Sequence, residues 1–314
     1  MSCLHVRDLS VRYPSAQGVV RAVNGVSLDH LERETLALIG ETGCGKTTLA
    51  NAILRLLPKE ATVRGRVDFM GRDLLKLTEK ELGTIRGKEI GVVFQNPALA
   101  LNPVHRIGRQ VAEPLLIHER TGSREAAARV MDSLERLGMR DVEEQIRKYP
   151  FQLSGGMNQR IVIAASMILS PRMLIADEPT KGLDSKNRQS VVDELTLIKG
   201  RSHSSILLIT HDFRLTRRVS DRVAIMYGGI IVEVSPTEAF FRKQLHPYSQ
   251  ALMKSLPEQG FRPIPGAPPA MTSPPSGCPF HPRCEERREA CKKEPPSDVR
   301  QGDRTVKCVL YAED

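Results

Sequence analysis

The nine residues Gly40-Glu41-Thr42-Gly43-Cys44-Gly45-Lys46-Thr47-Thr48 open with the eight-residue pattern G-x-x-x-x-G-K-[ST]. Glycines at those positions let backbone N–H groups turn inward around phosphate oxygens. The lysine reaches the β- and γ-phosphates, and the threonine hydroxyl after it is placed to ligate Mg²⁺. Two carboxylates, Asp177 and Glu178, close an apolar run that begins at Met173. Paired acids at a strand end repel unless a cation or a proton role holds them there, and phosphoryl chemistry needs both a Mg²⁺ ligand and a group to orient water. Asp177 suits the metal and Glu178 the water. Gln95 and His211 follow the apolar runs 90–94 and 204–210, so each would stand at the C-terminal end of a strand, where α/β proteins bind ligands. A histidine there is a candidate to touch a γ-phosphate. Cys44 lies beside Lys46 at a helix start, features that lower a thiol's pKa, although the same residue would serve as a small loop filler.

Positioning these groups takes alternating strands and helices. Residues 4–11 alternate as a strand that ends at Tyr13-Pro14, with further strands at 19–28, 35–39 and 61–70. The run at 35–39 feeds the glycine motif, and a helical pattern at 47–57 leaves it, which is the strand, loop, helix order the motif requires. Helical spacing marks 78–86, then 107–139 throughout, continuing over 141–148 to Tyr149-Pro150. At Leu153-Ser154-Gly155-Gly156 another helix opens, with Ser154 as its N-cap, and runs to residue 169; its first N–H groups make a second anion site. A helix at 185–198 precedes the run before His211.

The chain has 314 residues, more than one core usually supports, so a large α/β domain with an appendage is expected. No apolar stretch approaches the ~20 residues needed to span a bilayer, and residues 1–7 carry no export signal, so the expected setting is cytosolic. A net charge of +9 suits nucleic acid or the anionic face of a membrane. Five Tyr, eight Phe and no Trp are few for stacking on single-stranded nucleic acid, so no nucleic-acid partner is expected.

Taken in order, these residues resemble the nucleotide-binding subunit of an ATP-binding cassette (ABC) transporter over about residues 4–256. The resemblance implies an α/β P-loop NTPase cassette: a RecA-like core, an antiparallel β subdomain and an α-helical subdomain at about 97–165, together filling residues 1–256. It implies ATP and Mg²⁺ as cofactors, with Thr47, Gln95 and Asp177 on the metal and Glu178, His211 and Gln95 in the hydrolysis machinery. Tyr13, alone readable as a strand-end aromatic, resembles the ring that stacks on adenine. Ser154, Gly155 and Gly156 resemble the signature that caps ATP held by a second ATPase subunit in a head-to-tail pair, and Asp184 lies in the loop after the carboxylates. Met157-Asn158-Gln159-Arg160 and Lys181-Gly182-Leu183-Asp184 are less usual spellings of their loops. A non-transport ABC ATPase acting on DNA or ribosomes is the alternative, although the chain shows one cassette and no coiled-coil insert. A free-standing kinase or GTPase would not explain Ser154-Gly155-Gly156 or His211.

Within that family, His246-Pro247-Tyr248-Ser249-Gln250-Ala251-Leu252 and the tail beyond them resemble the oligopeptide, dipeptide and nickel importer branch. That implies a peripheral protein on the cytoplasmic face of the membrane. Its partners would be two membrane-spanning permease subunits, a second ATPase subunit (a copy or a related chain) and, through the complex, an extracytoplasmic solute-binding protein. Residues 257–314 then form a Cys-containing extension, beginning with a Pro- and Gly-rich linker at 263–277. Four of the six cysteines, Cys278, Cys284, Cys291 and Cys308, fall in the last 37 residues. A small module needs a staple, and the cytosol disfavours structural disulfides. The gaps of five, six and sixteen residues are wider than the C-x₂₋₄-C pairs of zinc sites, while a [4Fe-4S] cluster tolerates such spacing. A cluster is the expected occupant, supported in part by the branch resemblance; zinc, or disulfides and free thiols, are the alternatives.

Overall fold

The computed structural model describes residues 2–183, 185–201, 204–294 and 296–312. In chain order the elements are β1 (Ser2–Ser15), β2 (Gly18–Leu31), β3 (Thr35–Ile39), α1 (Lys46–Ile53), β4 (Thr62–Phe69), β5 (Arg72–Asp73), α2 (Glu79–Ile85) and β6 (Ile90–Val93). Next come α3 (Pro97–Ala100), α4 (Ile107–Pro114), α5 (Ser123–Arg136), α6 (Val142–Gln145), α7 (Gly155–Met167), β7 (Met173–Asp177), α8 (Ser185–Arg201) and β8 (Ser205–Ile209). The last are α9 (Phe213–Val219), β9 (Arg222–Tyr227), β10 (Ile230–Pro236), α10 (Thr237–Arg242), α11 (Pro247–Lys254), β11 (Val299–Gln301) and β12 (Arg304–Val306). They divide into two compact units: residues 31–35 with 76–209, and residues 2–30 and 36–75 with 210 onward.

The second unit carries the glycine motif. Its β3 is buried along its whole length, as a strand covered on both faces must be, and pairs in parallel with β9, Leu36 opposite Arg222. Antiparallel β10 lies beside β9, and β12 and β11 extend the edge, Glu233 of β10 facing Val306 of β12. A separate antiparallel sheet runs in the order β2, β1, β4, β5; a register shift between Arg7 and Ser10 accompanies the left-handed Asp8 (φ 46°). Aromatic rings fill the core of this unit: Tyr227 and Tyr248 have centroids 4.4 Å apart, and Phe280 lies 5.3 Å from each. Helix α1 is shorter than its sequence pattern, because Arg55 turns left-handed (φ 52°).

In the other unit β8, β7 and β6 run parallel, Met173 opposite Ser205 on one side and Ile90 on the other. Thr78 caps α2 with a reciprocal capping box to Glu81, and Ser154 caps α7 by accepting from the Met157 N–H at 3.3 Å. The single helical run expected over 107–139 is broken. Helix α4 ends at Pro114, a π-helical turn spans Leu115–Glu119, Arg120 is left-handed (φ 55°), and α5 restarts after Gly122. Proline has no N–H to continue the ladder, and the left-handed Arg120 turns the chain before α5.

Residues 263–277, expected as a linker, have no regular structure but are tied down: the Arg21 N–H donates to the Met271 carbonyl at 2.8 Å. The segment from Cys278 onward packs within the glycine-motif unit, where Cys278, Phe280, Cys284 and Cys291 share a core with Tyr227, Tyr248 and Phe240.

Candidate functional site

The phosphate loop connects two constraints of the fold. A Cβ on Gly40 would lie 2.1 Å from the Met226 carbonyl oxygen, and one on Gly45 2.2 Å from that of Ala22, where φ is also +108°. Only glycine lets the chain pass at these points. Gly45 stands as the N-cap of α1 with no side-chain cap, and no acid occupies the first turn. The helix N-terminus is thus left to an anion. Lys46 is buried, and its ammonium donates to the Gly40 and Glu41 carbonyls at 2.8 and 3.0 Å, which holds it against the loop. Thr42, Gly43 and Thr47 are exposed along the loop, and Glu41 and Thr48 are half-buried. Tyr13 is half-buried on β1. His211 is exposed just before α9, whose N-cap Asp212 accepts from the Arg214 and Leu215 N–H groups.

Cys44 corrects an expectation. Its thiol is buried, and burial pushes its pKa up, Lys46 offsetting only part of the rise. Loss of hydration outweighs the helix end and the lysine, which opposes activation of this thiol and favours the loop-filler reading.

In the other unit Asp177 closes β7, and Glu178 comes next in a left-handed conformation (φ 48°) with its N–H on the Ile209 carbonyl at 2.8 Å. Both carboxylates are buried. A non-glycine residue held in that region stores strain, and it ends the strand's extended backbone at Glu178. Gln95 is half-buried beyond β6. Ser154 and Gly155 are exposed at the start of α7 and Gly156 is buried. Asp184 lies outside the described residues.

A family model described as ABC transporter matches residues 23–181. The chain belongs to the ABC transporter family. As an ABC ATPase it hydrolyses ATP, and the kinase and GTPase readings fall away. A second model, the C-terminal region of oligopeptide/dipeptide transporters, matches residues 232–291. The dipeptide transport ATP-binding protein DppD of Bacillus subtilis (strain 168) is 40% identical over 98% of this chain and 94% of its own length. The oligopeptide transport ATP-binding protein OppD of Salmonella typhimurium is 35% identical over 99% and 94%. Among solved structures, the dimeric post-hydrolysis state of the ATP-binding cassette MJ0796 bound to ADP and Pi superposes with a TM-score of 0.68 at 26% identity, covering 74% of this chain and 98% of that one. The cbiO1 subunit of Clostridium perfringens gives 0.65 at 25%, covering 82% and 95%. No described helix of this ABC protein is long and apolar enough to cross a membrane.

The C-terminal cysteines of this ABC ATPase come together. Cys278, Cys284, Cys291 and Cys308 are all buried and line one cavity of about 10 Å³ with His246 and Phe280. Burial pushes the Cys278 and Cys308 thiols up to about 11. Among the described residues no group of three or more His, Cys, Asp or Glu side chains is arranged to hold a metal ion. His246 caps α11, its Nδ1 accepting from the Tyr248 N–H at 3.0 Å, and burial holds the ring neutral. Sequence reasoning missed what lies beside these groups: Tyr248, whose hydroxyl accepts from the Glu41 N–H at 3.0 Å, and Arg283, which pairs with the Glu41 carboxylate. The His-Pro-Tyr run was the available signal for the first; nothing local marked the second.

Proposed function

We propose that this chain is the ATPase subunit that powers import of dipeptides and oligopeptides through a membrane ABC transporter. The observation that carries the reading is the near full-length similarity to dipeptide and oligopeptide transport ATP-binding proteins, which extends through their C-terminal region. In this reading Lys46 charges the β- and γ-phosphates, and Thr47, Gln95 and Asp177 ligate Mg²⁺. Glu178 orients the attacking water, His211 meets the γ-phosphate, and Tyr13 stacks on adenine. Ser154, Gly155 and Gly156 cap the nucleotide of a second ATPase subunit, and Asp184 belongs to the loop between the two. The glycines that leave no room for a Cβ and the uncapped α1 N-terminus support the phosphate assignment; the exposure of Ser154 and Gly155 supports the partner assignment.

The chain works at the cytoplasmic face of the membrane beside two permease subunits, supplied by an extracytoplasmic solute-binding protein. Leu99, Val104, Ile117 and Phe151 are large apolar side chains exposed on the Gln95 loop and the helical insert, which supports this surface as the permease contact. Substitutions there should uncouple ATPase activity from uptake while leaving nucleotide affinity unchanged. The deciding experiment purifies the intact complex and measures ATPase activity against binding protein loaded with peptides or with a nickel chelate. Stimulation by peptides supports the reading; a response to the chelate alone replaces peptide with metal.

The finer assignment in the extension is that Cys278, Cys284, Cys291 and Cys308 hold one [4Fe-4S] cluster. Four thiols lining one cavity are the donor set such a cluster takes, and it spaces its sulfurs more widely than one metal ion does. Bound there, it would supply the cross-link that the short segment lacks. Full-length protein purified without oxygen should be brown and carry about four irons per chain, and replacing any of the four cysteines should bleach it. Colourless protein with one zinc per chain overturns the assignment.

A further inference from the structure

Glu41 is an oddity of the phosphate loop: a carboxylate one residue past Gly40, in a loop whose business is to attract anions. It is half-buried, and an uncompensated negative charge there would oppose the triphosphate. Compensation comes from the far end of the chain. Arg283 places Nη1 2.9 Å from Glu41 Oε2 and Nη2 3.3 Å from Oε1, a two-pronged pair with the arginine side chain 6% exposed and the glutamate side chain 22%. The guanidinium is held from behind as well. Its Nη1 donates to the Tyr227 hydroxyl at 3.1 Å and its Nε to the Pro265 carbonyl at 2.8 Å. The Glu41 backbone is fixed at the same time, its N–H donating to Tyr248 and its carbonyl accepting from Lys46. A planar guanidinium with several fixed acceptors loses little freedom on pairing, which a lysine could not reproduce.

We propose that Arg283 is a positioning residue of the ATP site, supplied by the C-terminal segment, which neutralises Glu41 and sets the opening turn of the phosphate loop. Arg283 does not touch nucleotide; it acts through Glu41 on the loop that does. It comes after Pro282 in the turn between Cys278 and Cys284.

The test is nucleotide affinity of the full-length chain, read with a fluorescent ATP analogue, and kcat against KM in the assembled transporter. Arg283→Ala should weaken ATP binding about tenfold, equivalent to about 1.4 kcal/mol, with kcat at saturating ATP changed far less. Arg283→Lys should recover only part of the loss. The double variant Glu41→Gln, Arg283→Ala should bind ATP more tightly than Arg283→Ala alone, since the charge needing compensation is gone. Wild-type affinity in Arg283→Ala overturns the proposal. So does a double variant as weak as the single one, which would make Arg283 a packing residue. If Arg283→Ala fails to fold, circular dichroism of the double variant decides: a folded, ATP-binding double variant supports charge compensation, and an unfolded one refutes it.

Discussion

Glu233 should be among the residues this protein can least lose. The side chain sits on β10 at 1% exposure, and its two oxygens accept from the Leu245 N–H at 3.0 Å, the His246 N–H at 2.9 Å, the Ser235 hydroxyl at 3.0 Å and the Arg304 guanidinium at 2.8 Å. One carboxylate thus fixes the entry to α11 and the hairpin strand β12. Glu233→Ala leaves two buried main-chain donors without an acceptor, each costing about 1–3 kcal/mol, and strips Arg304 of its counter-charge. Arg304 keeps the Ser235 hydroxyl and the Lys243 carbonyl, so its share is small. The total should be roughly 3–5 kcal/mol, the range for breaking a buried pair from one side. Arg304→Ala leaves the Glu233 carboxylate buried without a counter-charge, but the three donors that remain on it should hold the cost to the low end of that range, about 3 kcal/mol. Urea unfolding followed by circular dichroism measures both, and in a thermal scan Glu233→Ala should fall by roughly 10 °C. ATP affinity should fall with stability, since α11 carries Tyr248 to the Glu41 N–H. A Glu233→Ala variant within 1 kcal/mol of the wild type, or an Arg304→Ala variant that costs more, would refute the account.

Three further outcomes are expected. Glu178→Gln should keep ATP binding while lowering turnover at least a hundredfold, because a carboxamide holds a water without polarising it; near-normal hydrolysis in the assembled complex would remove Glu178 from the reaction. Burial pushes the Glu194 carboxyl, beside Arg160 at 3.0 Å, up to about 7 from an ordinary 4.5. The folded state therefore keeps a proton that the unfolded chain has released, stability falls as pH rises from 4.5 to 7 by roughly 2–3 kcal/mol, and Glu194→Gln should flatten that slope in urea titrations. The Cys44 thiol, raised by burial, should react with a maleimide far more slowly than a free thiol at pH 7, and labelling of Cys44 at the free-thiol rate in the folded protein would contradict its burial.

Legibility in the sequence tracked the range of the interactions. The bounds of β3 are those its apolar run implies, because burial on both faces leaves no alternation to misread. Ser154 was readable as a cap, since it satisfies a donor within three residues of itself, whereas the helical spacing counts Thr78 as the first residue of the helix it caps. The break after α4 was readable too, in Pro114 and Gly122, but the apolar spacing on either side hid it. Cys44 stays between reactive thiol and loop filler in the sequence, which shows a neighbouring lysine and a helix start but not how much water is removed. Glu233 reads as a solvated strand residue, and its partners lie up to 71 positions away. Arg283 and Glu41, 242 positions apart, have no local signature at all.

The division of the chain also sets a clock. Residues 2–30 and 36–75 leave the ribosome first, yet the unit they belong to waits for residues 210 onward, which bring β9 beside β3 and Arg283 to the phosphate loop. At ordinary elongation rates that interval is on the order of tens of seconds. Throughout it β3 lacks its β9 partner, and such long-range parallel pairing is slow to form. A chain cut short before Arg283 would own every residue of the glycine motif and still lack the guanidinium that pairs with Glu41. On the proposal above, a chain that ends before Arg283 should therefore bind nucleotide at least about tenfold more weakly than the finished one.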